Sequence, residues 1–104
     1  MNAVVTYPAS QTRLVAREFE QISVGAVATA LTAAYAASCF RAAIKVENGG
    51  TCRYRIDGTA PTAAIGTLLF DGEQLELSHD DAMLFQAFRV GAVNPLLDVT
   101  YLRP

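Results

Sequence analysis

Tryptophan is absent from this sequence, lysine and histidine occur once each, as Lys45 and His79, and charged side chains make up only 17% of the residues. Each shortage excludes something. A nucleic-acid groove needs clustered Lys and Arg, but the eight basic residues are scattered among ten acidic ones and the net charge is −2. No nucleic-acid partner is expected. No apolar run reaches the roughly eighteen residues of a membrane span, and the opening MNAVVTYPAS lacks the basic start and apolar stretch of a signal peptide. The sequence therefore predicts no membrane partner and a protein made and kept in the cytoplasm, unless it leaves inside something larger. Cys39 and Cys52 are the only cysteines and have no metal spacing, so two buried thiols are expected rather than a disulfide.

Chemistry is equally scarce. His79 is followed by Asp80 and Asp81, but one imidazole with adjacent carboxylates falls short of the three or four convergent ligands of a metal site. A capping turn is the expected role. A nucleophilic cysteine would need His79 as its general base, whereas Cys52 alternates with Tyr54 on the inward side of its strand. Asp57 with Asp71, or Glu73 with Glu76, could be paired as glycosidase carboxylates, yet no set of cleft-lining aromatics accompanies them. Gly49, Gly50, Gly58, Gly66 and Gly72 stand in turn contexts, not in a strand-to-helix phosphate loop. No catalytic residue, cofactor, metal or small-molecule substrate is expected.

What is present is a pattern of short strands. A chain of 104 residues forms one core, burying roughly 60–70% of the surface its unfolded form exposes. Residues 1–10, with Tyr7 and Pro8, read as an extended arm ordered only against a neighbour, and residues 11–104 as one domain. TRLVAREFEQIS, residues 12–23, is consistent with a strand. AVATALT gives a second, and AAYAASC, too short for its alanines to decide, reads as a loop.

The clearest unit is RAAIKVENGGTCRYRID, where two alternating runs flank Asn48-Gly49, the dipeptide that supplies the positive φ angles of tight hairpin turns. A hairpin is predicted. Its inward face holds Ala42, Ile44, Val46, Cys52, Tyr54 and Ile56, and its wet face holds Arg53 and Arg55 within cross-strand reach of Glu47. Asp57-Gly58 then leaves the strand through a turn in which Asp57 accepts from the backbone two residues on, and Pro61 prevents the strand from continuing. Asp71-Gly72 is a second turn, introducing the strand EQLELS. Ser78-His79-Asp80-Asp81 caps a helical turn over AMLF, Phe88 and Val90 flank Arg89 in the next strand, and Gly91 ends it. LLDVTYL closes the chain with Leu97, Val99 and Tyr101 on one face.

Turn signals every eight to twelve residues through the second half give the spacing of an antiparallel sandwich or barrel rather than of alternating βα units, and a β-sandwich is the fold expected. The fold class is all-β. Among the aromatics, core packing is expected for Phe40 and Tyr101, while Tyr35 and Phe70, in loop-like segments, are the expected contact residues, together with Tyr7, Pro8, Arg53 and Arg55. The low charge fits either a monomer that is mostly interior or a chain partly covered by a partner, since globular proteins average about 25% charged residues.

CRYRIDGTAPTAAIGTLLFDGEQLELSHDDAMLFQAFRVG followed by LLDVTYLRP resembles a group of small proteins from tailed bacteriophages. The shared pattern is Arg-x-Arg-x-Asp-Gly-Thr-x-Pro-Thr, a Gly, a Leu-rich approach to an acidic strand, the segment Phe85-Gln86-Ala87-Phe88-Arg89, and a terminal Val-Thr-Tyr strand. It covers residues 40–104, fits residues 11–35 loosely and does not extend to the first ten. Members of the group often carry isoleucine where Phe88 stands, a change within core chemistry. The resemblance implies a small jelly-roll-like sandwich acting as a virion structural protein: a capsid decoration or cement protein, or a tail or neck component. It implies homo-oligomers, contact with the major capsid protein or other virion proteins, and no active site. From another class, a host-glycan-binding module would need exposed aromatics and carboxylates in one loop-lined pocket.

Overall fold

The structure is a computed structural model, and it describes residues 13–104. Eight strands and two short helices follow one another as β1 (Val15–Ser23), β2 (Thr29–Ala30), α1 (Ala33–Ser38), β3 (Arg41–Glu47), β4 (Thr51–Arg55), β5 (Thr67–Leu69), β6 (Gln74–Ser78), α2 (His79–Leu84), β7 (Gln86–Val90) and β8 (Leu96–Arg103). They form two four-stranded antiparallel sheets, ordered β1-β8-β3-β6 and β2-β7-β4-β5. The protein is an all-β sandwich. Every connection between consecutive strands crosses from one sheet to the other except that between β4 and β5.

The core lies between the sheets. Ala42, Ile44 and Val46 of β3, Leu77 of β6 and Leu97, Val99 and Tyr101 of β8 face Cys52 of β4, Leu69 of β5 and Ala87 of β7. Strand alternation produces this layer, because successive side chains point to opposite faces of a sheet. The inward residues read from β3 and β8 are the buried ones observed. Tyr101 is fully buried, and its hydroxyl donates to the Glu20 carboxylate on β1. Burial and that bond to a carboxylate push the Tyr101 phenol far above its ordinary value.

The predicted hairpin over residues 41–57 does not form. β3 pairs with β6 and β8, and β4 pairs with β5 and β7. The turn has the expected chemistry, with Asn48 at φ 80° and Gly49 at φ 74°, but the next residue sends the chain across the core. Gly50 is buried so close to Pro95 that a Cβ built on it would lie 2.5 Å from the proline nitrogen. The inward faces of β3 and β4 therefore oppose each other across the sandwich. Asp71-Gly72 makes a second crossing turn, between β5 and β6, with Gly72 at φ 85°.

Three local expectations also change. AAYAASC, expected as a loop, is helix α1: Tyr35 N–H and Ala36 N–H donate to the Thr32 carbonyl, and Ala36 is buried. Thr32 is itself held by the Glu20 carboxylate, through Oγ1 at 2.6 Å and N–H at 3.3 Å. A contact twelve residues away thus settles what alanine propensity could not. β2 spans two residues of the expected AVATALT run, and β5 is an additional strand. In β7 the core residue is Ala87, while Phe88 is half-buried on the outer face, opposite Arg53. The capping turn forms as read, with Asp81 N–H donating to Ser78 Oγ and Ala82 buried.

Candidate interface surfaces

The crossing connections meet at one end of the sandwich and brace one another. Val24 N–H donates to the Pro95 carbonyl at 3.0 Å and Arg89 N–H to the Gly25 carbonyl at 3.0 Å. Asn48 Nδ2 donates to the Asn94 carbonyl at 3.1 Å, Gly49 N–H to Asp71 Oδ1 at 3.0 Å, and Arg89 Nη1 to Asn94 Oδ1 at 2.8 Å. Four connections are locked into one rigid end. From it project Val27, 72% exposed, together with Phe70 and Val93, each about half exposed. Large apolar side chains on a fixed backbone are the usual material of a protein contact.

The opposite end carries α1, α2 and the long β4–β5 connection, residues 56–66. Here Arg53 and Arg55 hold the stretch RYRIDGTAPTAAIG in shape. Arg53 Nε donates to the Ala63 carbonyl at 3.1 Å and Nη1 to the Gly66 carbonyl at 2.8 Å. Arg55 pairs with Asp57, whose Oδ1 also accepts from Thr59 N–H at 3.2 Å, the turn bond read from the sequence. Arg55 and that N–H hold the Asp57 carboxyl down at about 2. Pro61 is buried beneath the loop, and Thr62 Oγ1 accepts from Ala64 and Ile65 N–H. Both arginines are engaged within their own loop. Glu47, their expected cross-strand partner, belongs to the other sheet.

Two hollows lie at this end, each of about 370 Å³. One is lined by Tyr54, Arg55, Ile56, Asp57 and Ile65. It brings an aromatic and a carboxylate together, but Asp57 is committed to Arg55 and the Tyr54 ring stacks on Phe85 at 5.7 Å. The other is an apolar notch between Ala37, Cys39, Phe40 and His79. His79 Nδ1 sits 2.9 Å from the Cys39 carbonyl oxygen, and the Cys39 thiol donates to the Ala36 carbonyl. Burial raises both thiols above their ordinary value, Cys52 to about 11, which suits packing and not attack.

The residues singled out from the sequence do not form one site. Tyr35 lies half-buried on α1, its ring 5.2 Å from that of Tyr101, while Phe70 projects from the braced end. Tyr7, Pro8 and the expected arm lie outside the described residues. Among the described residues, no three His, Cys, Asp or Glu side chains gather as metal ligands, and no helix is long and apolar enough to cross a membrane. Sequence reasoning missed Phe19, which is 59% exposed on β1, and Val27 and Val93 at the braced end. For Phe19 the signal was present, since it shares strand parity with Arg17, Gln21 and Ser23. No family model, curated protein or solved structure matches the chain.

Proposed function

We propose that this protein is a structural component of a tailed-bacteriophage virion, a decoration or cement protein of the head that acts by contact and catalyses nothing. The observation that carries the reading is the pairing of a rigid small sandwich with much exposed apolar surface: Val27, Phe70 and Val93 project from a braced end, and Phe19 and Phe40 from elsewhere on the surface. Such side chains are costly to leave in water, at about 25 cal/mol per Å² of apolar surface, and a partner that covers them recovers that free energy. Strand order adds support. Two four-stranded sheets whose consecutive strands alternate between them, β4–β5 excepted, fit a jelly roll, an architecture that recurs in viral capsid domains.

In this reading the braced end seats on the major capsid protein or another virion protein, and its cross-linked connections keep the contact surface from rearranging. Contact area is the functional quantity. The test is the copy number of this chain, measured against the major capsid protein by quantitative staining of purified particles. Hundreds of copies support the head, a few to a few dozen move the protein to the tail or neck, and absence from the particle refutes the virion reading.

A further inference from the structure

We propose that the outer edge of β1 is a self-association surface on which a second copy of this chain lays its own β1 antiparallel, joining the two β1-containing sheets into one across a two-fold axis. This deepens the assembly part of the proposed function and rests on it only for its place in the particle. Among the described residues β1 has a single hydrogen-bonding neighbour, β8, although at nine residues it is the longest strand. Among the described residues, nothing pairs with the backbone donors and acceptors of its other side. The remaining sheet edges are shorter: β2 has two residues, β5 has three and β6 has five. Natural edge strands are blunted by shortness, charge or bulges. β1 is bulged between Ala16 and Glu18 and carries its charges at Arg17, Glu18 and Glu20, leaving the backbone regular from Glu18 to Ser23 and the stretch Gln21–Ser23 uncharged.

Charge and length select the register. A two-fold axis perpendicular to the sheet pairs each residue with one of the same parity, so the pairing centres on a single residue. Centring on Glu20 opposes that residue to itself, and centring on Ile22 pairs only residues 21–23 of the strand. Centring on Phe19 sets Glu18 opposite Glu20 of the second copy, twice. Centring on Gln21 sets Gln21 against itself, Glu20 against Ile22 and Phe19 against Ser23, with no like charges opposed. The register centred on Gln21 is the one assigned. It also lays the exposed Phe19 ring beside the second copy's strand, where cross-strand packing removes it from water.

Cysteine trapping reads this directly, because Cys39 and Cys52 are buried and do not compete. In the assigned register the two Cα atoms at position 21 are about 4.5–5.5 Å apart, within disulfide reach. Those at position 19 are about 14 Å apart, beyond it. Gln21→Cys is expected to form a covalent dimer on mild oxidation while Phe19→Cys does not, and the parent chain should double its mass with concentration in sedimentation. Gln21→Lys retains a partner in Asp98, which Gln21 already bonds at 2.8 Å, so its melting temperature should hold while like charges at the axis weaken association about fivefold. Cross-linking at 19 but not at 21 overturns the register. A monomeric parent at the highest concentration reached, with neither variant linked, overturns the pairing, and that is also the result if residues 1–12 of the same chain occupy the edge. Neither outcome touches the particle copy number, so the two readings fail separately.

Discussion

Substituting Gly50 with alanine tests the crossing of the chain between sheets at the cost of one methyl group. The new Cβ would lie 2.5 Å from Pro95 N, 2.7 Å from Pro95 Cα and 2.8 Å from Pro95 Cδ, where ordinary contacts lie at 3.4–4 Å. Two of those three atoms are backbone, so no rotamer relieves the overlap. The 48–50 and 94–95 segments would have to separate by roughly 1 Å against the Asn48–Asn94 and Val24–Pro95 hydrogen bonds. Overpacking of this kind costs about 1–3 kcal/mol, and weakening one of those bonds adds about 0.5–1.5 kcal/mol. A total of about 2–4 kcal/mol lowers the melting temperature of a domain this size by roughly 10–25 °C. Gly49→Ala is the control, with nothing within 4 Å of its Cβ but φ at 74°, so its cost is the left-handed backbone alone, about 1–2 kcal/mol. Thermal melts by circular dichroism measure both. In a flat hairpin the residue after Asn-Gly has room for a side chain, and Gly50→Ala would be neutral or stabilising; a variant melting with or above the parent would refute the crossing.

Three further outcomes follow from the same contacts. Tyr101→Phe keeps the buried ring but removes the hydroxyl donated to Glu20, and urea unfolding should show a loss of about 1.5–3 kcal/mol, the range for a bond to a charged group. Asp57 is held at about 2 against an ordinary value of 3.8, so its carboxylate stabilises the fold above the unfolded-state value and loses that contribution as pH falls toward 2. Asp57→Asn should therefore flatten the decline in melting temperature between roughly pH 5 and 2, and an unchanged slope would remove the Arg55–Asp57 pair as its cause. Cys39 and Cys52 are both buried, so a thiol reagent at neutral pH should modify neither until denaturant is added, and prompt reaction of the native protein would contradict their role as core filler.

The sequence made faces legible and left partners hidden. Alternation in RAAIKVE and LLDVTYL identifies Ala42, Ile44, Val46, Leu97, Val99 and Tyr101 as inward, and all six are buried. Alternation is a property of one strand. Which strand lies beside it depends on contacts such as Gly50 against Pro95, forty-five residues apart, which no local pattern records. Asn48-Gly49 was correctly read as a positive-φ turn and wrongly as a hairpin for that reason. The same distance effect made α1 unreadable, since Glu20 anchors its start. Short-range chemistry fared better: the Asp57 turn bond and the Ser78 cap join residues two and three apart, and both are found.

Topology also explains why one edge stays open. In a sandwich whose consecutive strands alternate between sheets, a strand is not paired with its successor, and the first one must find a partner late in the chain. β1 finds β8, with Val15 opposite Arg103. Its other side has no described strand left to receive: β2 has crossed to the second sheet, and β3 and β6 lie beyond β8. The shortness of β2 and β5 leaves little edge on the second sheet, and β6, at five residues, is the shorter of the two edges of the first. The alternation that lets about ninety residues wrap a core on two sides therefore leaves one nine-residue edge with no described strand beside it. Under the proposed contact function, that edge and the apolar braced end are separate surfaces, one assigned to a second copy and the other to a different partner, so an assembly built through both would propagate without either contact competing for the same residues.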